Sequence, residues 1–203
     1  MKTDSVVILG SGPSLDGFDY GLLSGRSVIA VNDAGLLQYP ESGTLISTDL
    51  WWWMSVIAGQ RSLALSRAAE ILCTEENCYA EVRSVDARVR YVRRVRKAGL
   101  SDQPSCLHGI YTGAHAALNH AFLNGAQRIV LLGVDLKPAG ARKYTYGGDV
   151  TPRTARQFVN MMAVLESCAV PLAQAGVKVV NGSPDSALTC WPRMRPEEAL
   201  AQC

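Results

Sequence analysis

The sequence predicts an α/β fold: one Rossmann-like domain over residues 1–203, built on a mostly parallel open sheet with helices on both faces. Three observations carry that expectation. Short Val/Ile/Leu runs recur without polar alternation, the pattern of strands buried on both faces of a parallel sheet. Amphipathic helical stretches lie between the runs. Small and polar residues collect where each run ends, and the carboxyl ends of the strands are where an open α/β sheet presents its ligand.

The strand candidates, in order, are SVVILG (5–10), SVIAVN (27–32), TLIST (44–48), EILCT (70–74), RIVLLGVD (128–135) and VKVVNG (177–182). A helix is predicted over 113–124, because Ala114, Ala117, Leu118, Ala121 and Phe122 share one face. Asn124-Gly125 ends it as a C-cap. A second helical stretch runs over 152–175, with Thr151 as N-cap and Pro152 at the first helical position. Pro171 should kink or split it, since proline lacks the amide and clashes with the preceding turn. Residues 75–107 show no clean strand pattern and read as a lid or insertion. Within them a basic run holds Arg83, Arg88, Arg90, Arg93, Arg94, Arg96 and Lys97. On a helix Val82, Val85, Val89 and Val92 would share one face and Arg83, Arg90, Arg94 and Lys97 the other. That reads as a solvated amphipathic helix, or as a lid that attracts an anionic ligand.

The net charge is only +2, too small for a strong field, so a nucleic-acid partner is not expected. No stretch of 18 apolar residues suggests a membrane span. MKTDSVVILG has too short an apolar run and too acidic a flank for a signal peptide, which points to a cytoplasmic protein. The six cysteines form no C-x-x-C pair and have no histidine at zinc spacing, which fits a reduced, free set. A homo-oligomer is compatible with this composition.

The strand ends carry the chemistry. The first reads Gly10-Ser11-Gly12-Pro13-Ser14, then come Asn32-Asp33, Thr48-Asp49, Gly133-Val134-Asp135 and Asn181-Gly182-Ser183. Gly10 and Gly12 permit unusual dihedrals and close approach of a ligand. Pro13 stiffens the turn, and the Ser14 hydroxyl suits a helix cap or a phosphate oxygen. A plain tight β–α turn would use the same residues. A dinucleotide loop fits less well: Asp33 lies 21 residues after Gly12, where a ribose-binding acid belongs, but Leu15 stands at the third glycine. No G-K-[ST] is present for a Walker loop. Asp33, Asp49, Asp135 and Asp149 would suit magnesium if they converged. Of Trp51-Trp52-Trp53, one ring could stack on a sugar or base, while core and oligomer packing is the plainer reading. Among the histidines, His115 flanks the apolar stripe in the first turn of its helix, His108 precedes that helix, and His120 faces away from the stripe and should be solvated.

VVILGSGPSLDGFDYGLL, VIAVND, YTGAHAALNHAFLNGAQRIVLLGVD and GVKVVNGSPDSAL together resemble the bacterial sialyltransferase-like family and its phage-borne relatives of unassigned function. The shared pattern is a G-x-G-P-S-L loop, an Asn after the second strand, a Ser/Thr-Gly helix start and a Gly-x-Asp strand end. The likeness spans nearly the whole chain and is weak over 51–107. It implies a glycosyltransferase that binds a cytidine monophosphate sugar and passes it to an acceptor hydroxyl, without a required metal. Gly10, Ser11, Gly12 and Ser14 would then line the donor, Asn32 would hydrogen-bond it, and Thr112 and Gly113 would present a helix N-terminus to its phosphate. Gly133 and Asp135 would meet the nucleoside edge. A mononucleotide needs a shorter cradle than a dinucleotide, which accounts for the missing glycine.

One departure bears on activity. Where the family carries a general-base histidine, this chain reads KYTYGGD, residues 143–149. Tyr144 and Tyr146 could bind the phosphate through their hydroxyls. Asp149, or His115 from the helix, would have to act as base, and a carboxylate at its ordinary pKa is a weak one. The expectation is a protein that binds nucleotide and transfers sugar slowly. The alternatives are a non-catalytic nucleotide or sugar binder and a magnesium-dependent pyrophosphokinase, the reaction of distant relatives that act on a pterin.

Overall fold

The computed structural model describes residues 4–138, 140–144, 147–149 and 152–202. The chain starts on β1 (Ser5–Leu9), then β2 (Ser27–Val31), β3 (Thr44–Ser47), α1 (Leu50–Ile57) and β4 (Glu70–Cys73). Next come α2 (Glu76–Val85), β5 (Val89–Tyr91), β6 (Arg93–Val95), β7 (Cys106–His108) and α3 (Gly113–Leu123). The last part holds β8 (Arg128–Leu132), β9 (Arg142–Tyr144), β10 (Gly147–Asp149), α4 (Pro152–Glu166), α5 (Ala169–Gln174), β11 (Lys178–Asn181) and α6 (Pro196–Leu200). Seven strands form one parallel sheet in the order β11-β8-β1-β2-β3-β4-β5. β2 to β5 step outward on one side of β1, and β8 and β11 lie on its other side. The strand order therefore reverses between β1 and β8, and a crevice opens at the carboxyl ends of those two strands.

Both faces of the sheet are covered, which is why its strands read as unbroken apolar runs. Val6 and Ile8, with Ile29, Val31, Ile46 and Leu72, face α3 and the Leu165 and Leu172 side chains of α4 and α5. The alternate residues Val7 and Leu9 meet Leu15, Leu23 and Leu200, and farther along that face Leu45, Ile71 and Val89 meet Trp52, Trp53 and Val82. The helix expected over 113–124 forms with Thr112 as N-cap and Asn124 as C-cap, followed by Gly125 at φ +83°. The stretch expected over 152–175 divides between Glu166 and Ala169, so that Pro171 sits in the first turn of α5, where it needs no amide donor. Thr151, the proposed cap of α4, lies outside the described residues.

Two readings of 75–107 change. Residues 76–91 are not an insertion, because α2 and the edge strand β5 complete the main sheet. The basic run is not one helix either. The helix ends at Val85, and Asp86 takes an extended conformation and accepts the Arg88 amide at 2.9 Å. Beyond it the β-branched valines favour strands, with Val89 buried on the sheet edge and β6 paired in parallel with β7. Most of the arginines are held separately. Arg88 reaches Asp86 and three carbonyls, Arg90 pairs with Glu70, and Arg83 donates to the Val89 carbonyl.

Among the described residues no helix is long and apolar enough to cross a membrane. Five cysteines are free there, and burial pushes the Cys73 and Cys168 thiols up to about 12. Cys203 lies outside the described residues.

Candidate functional site

A cleft of about 750 Å³ lies at the carboxyl ends of the strands, over the β1/β8 reversal. Its floor is two loops laid backbone to backbone. The Gly10 amide donates to the Leu132 carbonyl at 2.8 Å and the Gly12 amide to the Gly133 carbonyl at 2.9 Å, which carries the β1–β8 pairing past the strand ends. A Cβ on Gly10 would stand 2.6 Å from the Gly133 oxygen, and one on Gly12 would stand 2.5 Å from the Asp135 carboxyl carbon. Both glycines are required by this close approach before any ligand is considered. Gly133, at φ +64°, leaves room for Leu15, whose Cδ1 would lie 2.7 Å from a Cβ there. The space that a third loop glycine would provide is thus supplied from the neighbouring strand.

Ser14 and Asp135 lock the two loops together. The Asp135 carboxylate accepts from the Ser14 amide at 2.7 Å and from its hydroxyl at 2.5 Å, and the same hydroxyl lies 2.9 Å from the Ser183 hydroxyl. The C-terminal loop braces this arrangement. The Ser186 hydroxyl donates to the Val134 carbonyl at 2.8 Å, and the Ala187 amide donates to the Asp135 carbonyl. Residues 13–15 form only a 3-10 turn without a side-chain cap, so the first loop offers no helix dipole of its own. The helix aimed at the cleft is α3. Thr112 accepts the Ala114 amide at 3.2 Å, and the Gly113 amide has no acceptor among the described residues. Gly113 must be glycine because a Cβ would meet Val31 at 2.5 Å.

Asn32 closes the second strand end in a left-handed conformation, φ +54°, and its side-chain oxygen is buried without a hydrogen-bond partner. Tyr111 at φ +64° and Leu136 at φ +54° are the other non-glycine residues in that region of backbone space among those described. All three line this one cleft. Each conformation costs roughly 1–2 kcal/mol, and such strain clusters at functional sites.

Asp33 is buried and occupied. It accepts from Trp52 Nε1 at 2.8 Å and from Arg61 at 2.7 and 3.0 Å, and Arg61 in turn donates to the Ser55 hydroxyl. Asp49 caps α1 by accepting the Trp51 and Trp52 amides at 2.9 and 3.3 Å. Arg94 is held by Glu75 and the Thr48 carbonyl, and Arg96 reaches the cleft beside it. On the opposite wall stand Lys137 and Lys143, the latter ammonium 5.0 Å from the centre of the Tyr144 ring.

The residues expected at the site are therefore distributed as follows. Gly10, Ser11, Gly12, Asn32, Asp33 and Asp49 line the cleft from the first three strand ends. Thr112, Gly113, Gly133, Asp135 and Tyr144 line it from the other side. Pro13 is buried beneath the loop, and Ser14 is engaged with Asp135 and Ser183. His115 is fully buried outside the cleft. Its Nδ1 accepts the Ile110 amide at 3.3 Å and its Nε2 lies 2.8 Å from the Gly99 carbonyl, while burial holds its pKa below the ordinary value. His120 is not solvated but half-buried beside Glu70, at 3.6 Å, and burial lowers its pKa too. Tyr146 lies outside the described residues. Asp149 ends β10 opposite Arg142 of β9, and its side chain is also outside the described part. Arg94 and Arg96, from the basic run read as attracting an anionic ligand, line the cleft, and Arg61, Lys137 and Tyr111 join them without any motif that sequence reading could have used.

Comparison with family models, curated proteins and solved structures finds no match.

Proposed function

We propose that this cleft binds a nucleotide-activated sugar, a cytidine monophosphate sugar by the family resemblance, and that the protein is a glycosyltransferase-like binder with slow transfer. The observation that carries the reading is the meeting of three features in one crevice. They are the unpartnered Asn32 oxygen, the open amide at the start of α3, and the strained backbones of Asn32, Tyr111 and Leu136. A buried acceptor without a donor is costly, and a ligand amino or hydroxyl group would satisfy it. A helix N-terminus favours an anion through its open amides and its dipole. One phosphate and one nucleoside suit this cradle.

In the proposed reaction the acceptor oxygen attacks the anomeric carbon, the bond from that carbon to the phosphate oxygen breaks, and the nucleotide leaves with the electron pair. The α3 N-terminus, Lys143 and the Tyr144 hydroxyl would stabilise the leaving charge. No histidine lines the cleft among the described residues. With His115 buried and its pKa held down by burial, Asp149 is the remaining candidate base, and slow transfer follows from the loss of the histidine base.

Calorimetry with cytidine monophosphate tests this reading, with adenosine and uridine monophosphates as controls and with and without EDTA. Saturable binding that prefers cytidine and barely responds to EDTA is the expected result. No binding of any nucleotide refutes it. Binding that collapses on chelation favours the magnesium-dependent pyrophosphokinase instead, although Asp33 and Asp135, two of the four carboxylates that reading needs, are already held by Arg61 and Ser14.

A further inference from the structure

Trp51 behaves unlike its two neighbours. Trp52 and Trp53 are buried edge to face, with ring centroids 4.8 Å apart, and their indole N–H groups donate to Asp33 and the Ser47 carbonyl. They fix α1 rigidly against the sheet. Trp51 is 81% exposed, the most exposed of the large apolar side chains, and it lines the cleft. Tyr111 lines the same cleft, is 53% exposed, and holds a left-handed backbone. The polar groups beside them are balanced. Arg94 is paired with Glu75 and Arg61 with Asp33, and Asp49 and the exposed Arg96 both line the cleft. Exposed aromatic faces among donors and acceptors of both signs suit a sugar ring rich in hydroxyls better than a second phosphate. The C–H face of a pyranose is attracted to the electron-rich face of an indole or phenol, while its hydroxyls meet the mixed donors and acceptors.

We infer that Trp51 and Tyr111 form a pyranose-stacking subsite at the β3 and α3 side of the cleft, beyond the phosphate position, and that they select the sugar ring. This rests on the nucleotide-sugar reading of the cleft.

Trp51 also supplies the measurement, because Trp52, Trp53 and Trp191 are all under a tenth exposed. Acrylamide quenching of tryptophan fluorescence therefore reports chiefly on Trp51. Three probes are compared, with calorimetry alongside: cytidine monophosphate, cytidine monophosphate N-acetylneuraminate, and the methyl glycoside of the same sugar at millimolar concentration. The nucleotide alone should bind and leave quenching unchanged. The nucleotide sugar, and the glycoside more weakly, should protect Trp51. Trp51→Ala should weaken the nucleotide sugar by about tenfold, as loss of one stacked ring does, and leave cytidine monophosphate within about twofold. Protection by the nucleotide alone would place the base on Trp51 and overturn the assignment. Binding of the nucleotide sugar without protection would overturn it too, as would protection that follows protein concentration, which would make Trp51 a contact between copies. If no nucleotide binds, the proposed function fails by itself, and the glycoside then decides the subsite: protection upholds it and none removes it.

Discussion

Replacing Asp135 by Ala tests whether its carboxylate belongs to the fold or to the ligand. Asp135 is 7% exposed, and its carboxylate accepts two hydrogen bonds from Ser14, at 2.7 and 2.5 Å. Hydrogen bonds to a charged group contribute about 1.5–3 kcal/mol each, and a buried amide left without an acceptor costs about 1–3 kcal/mol. These overlap, because the orphaned Ser14 amide is one of the two lost bonds, so the net loss is about 3–5 kcal/mol. Against a total stability of about 5–15 kcal/mol that is a large fraction. For a chain of this size each kcal/mol moves Tm by about 2–4 °C, so the variant should melt roughly 6–20 °C lower. Asp135→Asn keeps the shape and one acceptor and should lose only about 1–2 kcal/mol. Ser14→Ala should add little to Asp135→Ala in the double variant, because the hydroxyl bond to Asp135 that it removes is already lost there. Thermal unfolding followed by circular dichroism measures the parent and all four variants. An Asp135→Ala protein that melts within about 1 °C of the parent, or full additivity with Ser14→Ala, would show that Asp135 does not hold the loop.

Other outcomes follow from the same geometry. Asn32→Gly relieves the left-handed backbone and should raise stability by about 0.5–1 kcal/mol, while calorimetry shows nucleotide affinity falling tenfold or more; unchanged affinity would remove Asn32 from the site. Gly12→Val forces a side chain into Asp135 and the Gly133 carbonyl, so it should lower Tm as well as abolish binding, and a variant that melts normally would contradict the loop packing. His115 and His120 both have pKa values lowered by burial. The unfolded chain therefore takes up protons below about pH 6.5 that the folded one resists, and stability should be level above that pH and fall as pH drops through it. His115→Gln should flatten the fall in urea midpoints between pH 7 and 5, and an unchanged slope would argue against a neutral buried ring. Nucleotide affinity should be nearly unaffected by His115→Gln, because the ring does not reach the cleft.

The six short apolar runs determined the six buried strands by themselves, because a strand covered on both faces must be apolar at nearly every position and that pattern is local. The α3 helix was equally legible from its spacing and its Asn124-Gly125 end, and the break before α5 from Pro171. The strand ends named the cleft, since the strands of a parallel sheet all present their carboxyl ends on one side. The edge strand β5 and the β6–β7 pair were hidden, because strands of three residues, with arginines in β5 and β6, are too short for an apolar run, and they exist only through partners more than ten residues away along the chain. Likewise the sequence marks Asp33, Asp135 and His115 as chemical groups, but only the fold decides that Arg61, Ser14 and the Gly99 carbonyl already hold them. It is also the fold that leaves Trp51 in solvent while burying Trp52 and Trp53. Three consecutive residues on a helix point about 100° apart, and the sheet beneath decides which face is covered. Hydrophobic pattern reports how much of a segment must be buried, whereas the pairing of polar groups depends on which segments meet.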